Sequence, residues 1–386
     1  LTRVKLLFIV FFSQVMLSGC WDRTEVNDLA YVISTGFDKV EDNEFRISVQ
    51  VPLPGSMGGQ GSSGGGGGTG GSGPYYVDSG VGRNVRESND DLQKRMSRQL
   101  YFSHRRIIIF GEELARGGFK KSLDVVLEQT ESRLSTYVLL TDGEAIEILN
   151  ATPHLEQLPS EAAREIAKSS VGITVKDVLE DIAKPGKDPV IPKIEKTLTQ
   201  NGDSEDKKEE LKINGFGVLK GEKLAFFTTK QEAIGVMWLL EEFKGANYTF
   251  SVGEKNELNV KIHKNKVNPT FKVKNGQPSF TLNISIASTM MQNEPNLKLS
   301  EKKNYQQVKK QFENQVKDEV MAILQHSMKE GIDLYGLGFE LYLKENKQWE
   351  EKWAQNWEEI LPELTVDVKV DAEITRTINS GINVKE

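Results

Sequence analysis

Apolar positions along the chain alternate between a period of two and a period of three to four, and each switch marks an element. "DLAYVISTGFD" and "EFRISVQVPLP" read as two strands, with Val40-Glu41-Asp42-Asn43 as the polar turn of a hairpin. Residues 55–73, "GSMGGQGSSGGGGGTGGSG", carry no side chain able to build a core and read as a flexible loop between strands. From "YYVDSGVG" onward, helical and extended patterns take turns. "RESNDDLQKRMSRQL" reads as a helix capped by Ser88 or Asn89, and "RRIIIFG" as a short, wholly apolar strand. "GFKKSLDVVLEQTESRL" puts Phe119, Leu123, Val126 and Leu127 on one helical face; "STYVLLTDG" is a strand and "EAIEILNAT" a short helix. This alternation predicts an N-terminal α/β domain over residues 20–157.

A second unit, residues 158–246, combines the helical patterns "SEAAREIAKSS" and "TVKDVLEDIAK" with "PVIPKIEKTL", whose prolines exclude helix. "KINGFGVLKGEKLAFFTT" then reads as a hairpin turning at Lys220-Gly221-Glu222, and "KQEAIGVMWLLEEF" as a helix. Residues 247–386 open with the strands "NYTFSVG", "ELNVKIHKNKVNPTFKVKNG" and "SFTLNISIASTMM". A long helix from Ser300 follows, with Tyr305, Val308, Phe312, Val316, Val320 and Ile323 in one stripe, broken at Gly331, Gly336 and Gly338. A second helix, "KQWEEKWAQNWEEIL", stops at Pro362, and "LTVDVKVDAEITRTI" closes the unit as a strand. The predicted fold class is α+β, or mixed α/β, in three domains, the last a long helix packed on an antiparallel sheet.

Composition narrows the function. The 386 residues carry 56 acidic against 49 basic side chains, a net charge of −7, so nothing draws the whole chain to nucleic acid. Four scattered histidines make a histidine-rich metal site improbable, and one cysteine cannot form an internal disulfide. The chain has no HExxH, CxxC, GxSxG or Walker pattern, and its glycine-rich stretch ends in no Gly-Lys-Ser/Thr, so no cofactor and no enzymatic activity are expected. His104-Arg105-Arg106 could hold an anion but has no nucleophile or paired acid beside it. Glu112-Glu113 and Glu241-Glu242 are neighbours that diverge by about 100° on a helix, which is a solvated face and not an acid/base pair. Trp349, Trp353 and Trp357 recur every fourth residue. Such a face packs in the core or, alternatively, meets a partner subunit; the acidic flanks disfavour a membrane.

The amino terminus changes the picture most. Arg3 and Lys5 precede an apolar run from Leu6 to Leu17, too short to span a bilayer comfortably, and Ser18 and Gly19 follow. Residues 1–19 therefore read as a signal peptide, cut between Gly19 and Cys20. Leu17-Ser18-Gly19-Cys20 resembles a bacterial lipobox at all four positions, which makes the only cysteine a lipid-attachment nucleophile. Two acyl chains on Cys20 would anchor the protein stably where one would not. An ordinary cleaved signal with an incidental cysteine is the competing reading.

Beyond the lipobox, "GCWDRTEVNDLAYVISTGFD", "LYFSHRRIIIFGEELARGG", "VLEQTESRLSTYVLLTDGEAIEIL", "GFGVLKGEKLAFFTTKQEAIGVMWLL", "DLYGLGFELYLKENKQWEEKW" and "LTVDVKVDAEITRTINSG" resemble, in order, segments of the C-subunit lipoproteins of spore germinant receptors, the Ger(x)C family. The glycine loop is longer than that family's, and Ser103 stands where a glycine is expected before the histidine. The resemblance implies a non-enzymatic lipoprotein with acylated Cys20 on the outer surface of the inner spore membrane. There it would assemble with A and B subunits into a nutrient receptor that triggers germination. A lipid-tethered solute-binding protein serving a transporter is the alternative.

Overall fold

The computed structural model describes residues 25–41, 44–53, 73–129, 131–200, 207–253 and 257–376. The signal segment, Cys20 and all of the glycine loop but Gly73 lie outside the described residues.

The N-terminal half builds a sheet covered on both faces. Its elements are β1 (Leu29–Tyr31), β2 (Ser34–Lys39), β3 (Phe45–Pro52), β4 (Tyr75–Gly82), α1 (Val85–Gln93), β5 (Gln99–Tyr101) and β6 (Ile107–Phe110). They continue with α2 (Glu112–Gly117), α3 (Lys120–Glu128), β7 (Tyr137–Leu140), α4 (Ala145–Leu149), α5 (Pro159–Ser169) and α6 (Val175–Ala183). Then come β8 (Val190–Leu198), β9 (Glu209–Lys220), β10 (Lys223–Phe227) and α7 (Lys230–Leu239). Eight strands form one sheet in the order β10-β9-β8-β7-β6-β2-β3-β4, with β2, β6 and β7 parallel. β7 and β8, on either side of residue 157, meet at the single pair Leu140–Lys193.

Strand β6 shows why its sequence is continuously apolar. Ile108 and Phe110 enter the core under α1, α2, α3 and α6, whereas Ile107 and Ile109 enter the core under α4 and α5. A strand buried on both faces has no polar positions to alternate with. The segment "DLAYVISTGFD" is two strands and not one: β1 leaves the large sheet to pair in parallel with β5. The cap of α1 is Asn84, whose side chain accepts from Glu87 N–H at 2.9 Å, in place of Ser88 or Asn89. Ser88 is instead buried one turn inside, its hydroxyl on the carbonyls of Asn84 and Phe45. Leu127 stays largely exposed, at the margin of the face that Phe119, Leu123 and Val126 bury.

The C-terminal sheet is covered on one face. It comprises β11 (Asn247–Ser251), β12 (Glu257–Lys274), β13 (Gln277–Asn293) and β14 (Thr365–Arg376), in that order. Helix α8 (Lys302–Lys329) packs across it, burying Val308, Phe312, Val316, Val320 and Ile323 against Phe280, Leu282, Ile284 and Ile286 of β13. The β12–β13 hairpin turns at Asn275 and Gly276, both with positive φ (53° and 78°), the two-residue turn that matches strand twist. The closing strand β14 is parallel to β13, because α8 carries the chain back to the end where β13 began. The outer edge of β14 is guarded by α8. Ala372 N–H donates to Glu313 Oε1 at 3.0 Å and Ile374 N–H to the Tyr305 hydroxyl, while Lys309 and Lys317 reach Asp371 and Asp367. Such capping stops an edge strand from recruiting another chain.

Candidate functional site

In open α/β sheets, ligands sit beyond the carboxyl ends of parallel strands, where strand order reverses. Here that place lies beyond β2, flanked by parallel β6 and antiparallel β3. It is filled from within. Asp38, the penultimate residue of β2, accepts the N–H groups of Ala145 at 2.6 Å and Ile146 at 3.2 Å, at the start of α4. A Cβ on Gly111 would lie 2.2 Å from Asp38 Oδ1, so only glycine lets β6 end against this carboxylate. Burial pushes the Asp38 carboxyl up to about 6, opposed by the two amide donors. The protein's own acid thus occupies the position an anionic ligand would take.

A second closed acidic centre orders the C-terminal unit. After α8, the turn Asp333-Leu334-Tyr335-Gly336 leads into α9 (Leu337–Lys344). The buried Asp333 carboxylate accepts the N–H groups of Gly336, Leu337 and Gly338 at 2.7–2.9 Å and the Trp357 indole N–H at 3.0 Å. Burial raises this carboxyl to about 6, and the four donors pull the other way. Asp188, in the loop before β8, accepts Asp333 N–H at 2.8 Å and Gly221 N–H at 2.7 Å. One pair of aspartates therefore ties together the loop entering β8, the β9–β10 turn and the exit from α8. All the partners are N–H groups, so the arrangement holds these segments in position.

The three tryptophans complete this centre. Trp349, Trp353 and Trp357 are 3%, 3% and 5% exposed, so the indoles face the interior. Their segment is not one regular helix. A π turn spans Trp349–Trp353, a 3-10 turn Ala354–Asn356, and a short α turn Trp357–Ile360. The physical reason is that each ring has its own socket. Trp357 donates to Asp333, Trp353 donates to the Gly276 carbonyl at the hairpin tip, and Trp349 packs edge-on to Trp357 at 5.3 Å. The Trp349 ring also presses on Gly186 and Gly338, where a Cβ would come within 2.7 Å.

A third buried acid, Glu319, interrupts the apolar stripe of α8. It accepts the Trp238 indole N–H at 3.0 Å and the Tyr248 hydroxyl at 2.8 Å, and burial raises its carboxyl above the usual range. Close by, Gly235 of α7 lets the two helices touch, since a Cβ there would meet the Glu319 carbonyl at 2.2 Å. An acid at the border of an apolar run, as in "STGFD" or "DEVMAIL", or one followed by paired glycines, as in "DLYGLG", is the trace these three leave in sequence.

The other sequence candidates disperse. His104 stands edge-on to Tyr31 at 5.0 Å, Arg106 pairs with Glu161, and Arg105 is buried against Gln129 and Ser132, its guanidinium lowered to about 10 by burial. Glu112 pairs with Arg116, and Glu241 accepts Val267 N–H, so neither acidic doublet converges. His154 and His326 each meet one glutamate, Glu210 and Glu232, and His263 meets Thr289. Among the described residues no group of histidine, cysteine and acid side chains could hold a metal ion. Open cavities among the described residues include one of about 270 Å³ between α8 and the start of β14, lined by Met321, Leu324 and Met328, and one of about 740 Å³ between Pro74-Tyr75 and residues 151–159. Gly19 and Cys20 lie outside the described residues.

Known proteins share this architecture. Residues 22–196 match the family described as spore germination protein N-terminal domain, and residues 214–378 match spore germination B3/GerAC-like, C-terminal. The putative spore germination protein YfkR of Bacillus subtilis (strain 168) is 31% identical over 318 residues, 82% of each chain. The chain belongs to the GerAC-like spore germination family. Spore germination protein KC of the same organism is 27% identical over 370 residues, covering 90% of this chain and 89% of that one. Spore germination protein B3 is 24% identical over 338 residues, covering 83% and 84%. The crystal structure of the GerBC protein, 16% identical, superposes over 89% of this chain and 97% of that one with a TM-score of 0.55, a shared fold. The first family match ends within β8 and the second begins within β9, which are neighbours in one sheet. No helix of the described residues is long and apolar enough to cross a membrane.

Proposed function

We propose that this chain is the lipid-anchored C subunit of a nutrient germinant receptor, held through acylated Cys20 on the outer surface of the inner spore membrane. Assembly with the A and B subunits and relay of their signal is its role, with no reaction of its own. Its membership of the spore germination family is the observation that carries the reading, and the Leu17-Ser18-Gly19-Cys20 sequence supports the anchor. The closed acidic centres at Asp38 and Asp333 agree with a non-enzymatic part, since both carboxylates are buried and spent on N–H donors of the chain itself. They also weigh against a solute-binding protein, whose ligand would need the place that Asp38 fills.

Two measurements test this reading. Cys20→Ala should move the protein from the membrane to the soluble fraction of spore extracts, with its signal uncut or miscut; unchanged membrane retention would remove the anchor. Mild crosslinking of spore membranes followed by purification of this chain should bring down A- and B-type subunits. A preparation that never contains them would sink the receptor reading.

A further inference from the structure

Side chains cap the backbone of the edge strands β4, β10 and β14, and one stretch of β12 lacks such caps. On β4, Asp91 accepts Val81 N–H at 3.3 Å and Arg95 donates to the Ser79 carbonyl. On β10, Arg116 donates to the Ala225 carbonyl at 3.0 Å, and β14 is held by Glu313 and Tyr305. The outer side of β12 is covered in steps. β11 pairs with it as far as Lys261, the Ala246 carbonyl accepts Ile262 N–H at 2.9 Å, and Glu241 accepts Val267 N–H at 2.9 Å. There the cover ends.

The hairpin turn fixes which backbone groups are left over. Lys274 and Gln277 flank the two-residue turn at Asn275-Gly276 and exchange both of their hydrogen bonds, as such turns require. Lys272–Ser279, Thr270–Thr281 and Asn268–Asn283 follow in the same phase. Pro269, Phe271 and Val273, opposite Leu282, Phe280 and Pro278, therefore point their backbone groups away from β13. Val267, two residues earlier in this phase, confirms it by donating outward to Glu241. The outward groups are the Phe271 and Val273 N–H and the carbonyls of Pro269, Phe271 and Val273. None of them bonds to a described residue. Pro269 is itself consistent with an edge, because its ring sits where the ladder needs no donor.

Side chains decide what fits beside this edge. On the core side Phe271 and Val273 are only half-buried; the Phe271 ring lies 5.6 Å from buried Phe280, with Lys344 of α9 5.8 Å from its centre. Apolar side chains of an added strand would bury against this pair. On the open face Thr270, Lys272 and Lys274 are exposed, and neither lysine is in an ion pair with a described residue. The hairpin from Leu258 to Asn293 has five lysines and no acid. The acids that share its open face, Asp367, Asp371 and Glu373, stand on β14, on the far side of β13. A second copy joined edge to edge would set Lys272 and Lys274 against the same lysines, and like charges directly opposed are destabilising. The edge thus rejects its own kind.

We propose that the free edge of β12, from Pro269 to Lys274, receives an added strand from a partner subunit. That strand is an extended segment whose apolar residues lie beside Phe271 and Val273 and whose alternate residues, beside Lys272 and Lys274, are acidic. Strand addition draws its affinity from main-chain hydrogen bonds and its specificity from the alternate side chains. The inference rests on the receptor reading, which names the partner as an A- or B-type subunit.

Amide hydrogen exchange tests it, resolved by residue in the chain purified alone and in the receptor complex purified from spore membranes in mild detergent. In the chain alone, Phe271 and Val273 should exchange fast while Thr270 and Lys272, inside the ladder, exchange slowly. In the complex the two outward amides should slow about tenfold or more. Val273→Pro removes an N–H that the hairpin does not use, so the urea midpoint should hold while recovery of A- and B-type subunits falls several-fold. The combined Lys272→Glu, Lys274→Glu variant, which leaves the backbone alone, should lower recovery likewise. A complex in which Phe271 and Val273 exchange as fast as in the free chain overturns the strand addition and leaves the receptor reading standing. Preparations that never contain A- or B-type subunits overturn both.

Discussion

The two large sheets of this protein solve burial in opposite ways. Both faces of the eight-stranded N-terminal sheet are covered, so its polar chemistry is pushed to the strand ends, where Asp38 caps one end and the Arg105-Arg106 pair opens the other. The four-stranded C-terminal sheet covers one face with α8 and leaves the other to water. Its polar residues therefore run the length of the strands: Ser279, Thr281, Asn283, Ser285 and Thr289 alternate with buried Phe280, Leu282, Ile284 and Ile286 on β13. The difference teaches where each sheet can meet something else. A doubly covered sheet interacts through its ends, whereas a singly covered sheet can interact through a face.

That contrast can be broken most severely from beneath the C-terminal sheet. Trp357→Ala empties a buried indole socket and strips Asp333 of one donor, and should cost about 4 kcal/mol of stability, read as a lower midpoint in urea unfolding. A near-neutral result would mean that the aspartate turn holds without its tryptophan. The end of the N-terminal sheet offers a finer probe. Because the folded Asp38 carboxyl is raised from an ordinary 3.8 to about 6, it favours the fold fully below pH 4, and that contribution is lost as pH climbs through 6. Asp38→Asn lacks this titration, so its destabilisation should be about 1 kcal/mol smaller at pH 7.5 than at pH 5, measured by unfolding at both. A penalty that grows with pH would show that the amide donors outweigh burial. Smallest of all, Ser285→Thr on the open face should change stability by less than about 0.5 kcal/mol, since its side chain borders solvent. A larger loss would reveal that this face is packed after all.

Legibility followed the same division. The C-terminal sheet was readable because an open face preserves the period of two, and Asn275-Gly276 announces its turn. The long helix was readable from its stripe of Val308, Phe312, Val316, Val320 and Ile323, each of which is buried. In the N-terminal half the existence of the strands was readable but their company was not. Nothing local in "DLAYVISTGFD" says that Leu29–Tyr31 leaves for β5 while Ser34–Lys39 joins β3 and β6. The buried acids were the least legible part. A carboxylate among apolar residues has the same letters whether it meets water or four N–H donors, and the donors of Asp333 come from its own turn and from Trp357, 24 residues on.

The sequence by itself determined most of the elements and the resemblance to a family, because periodicity, turn residues and short motifs are local properties. Tertiary structure decided the rest. Parallel return of β14, enclosure of the three tryptophans, and the closing of Asp38 on the start of α4 arise when residues far apart in the chain are brought together. Net charge and periodicity are sums and local patterns, and neither records where in space the terms fall.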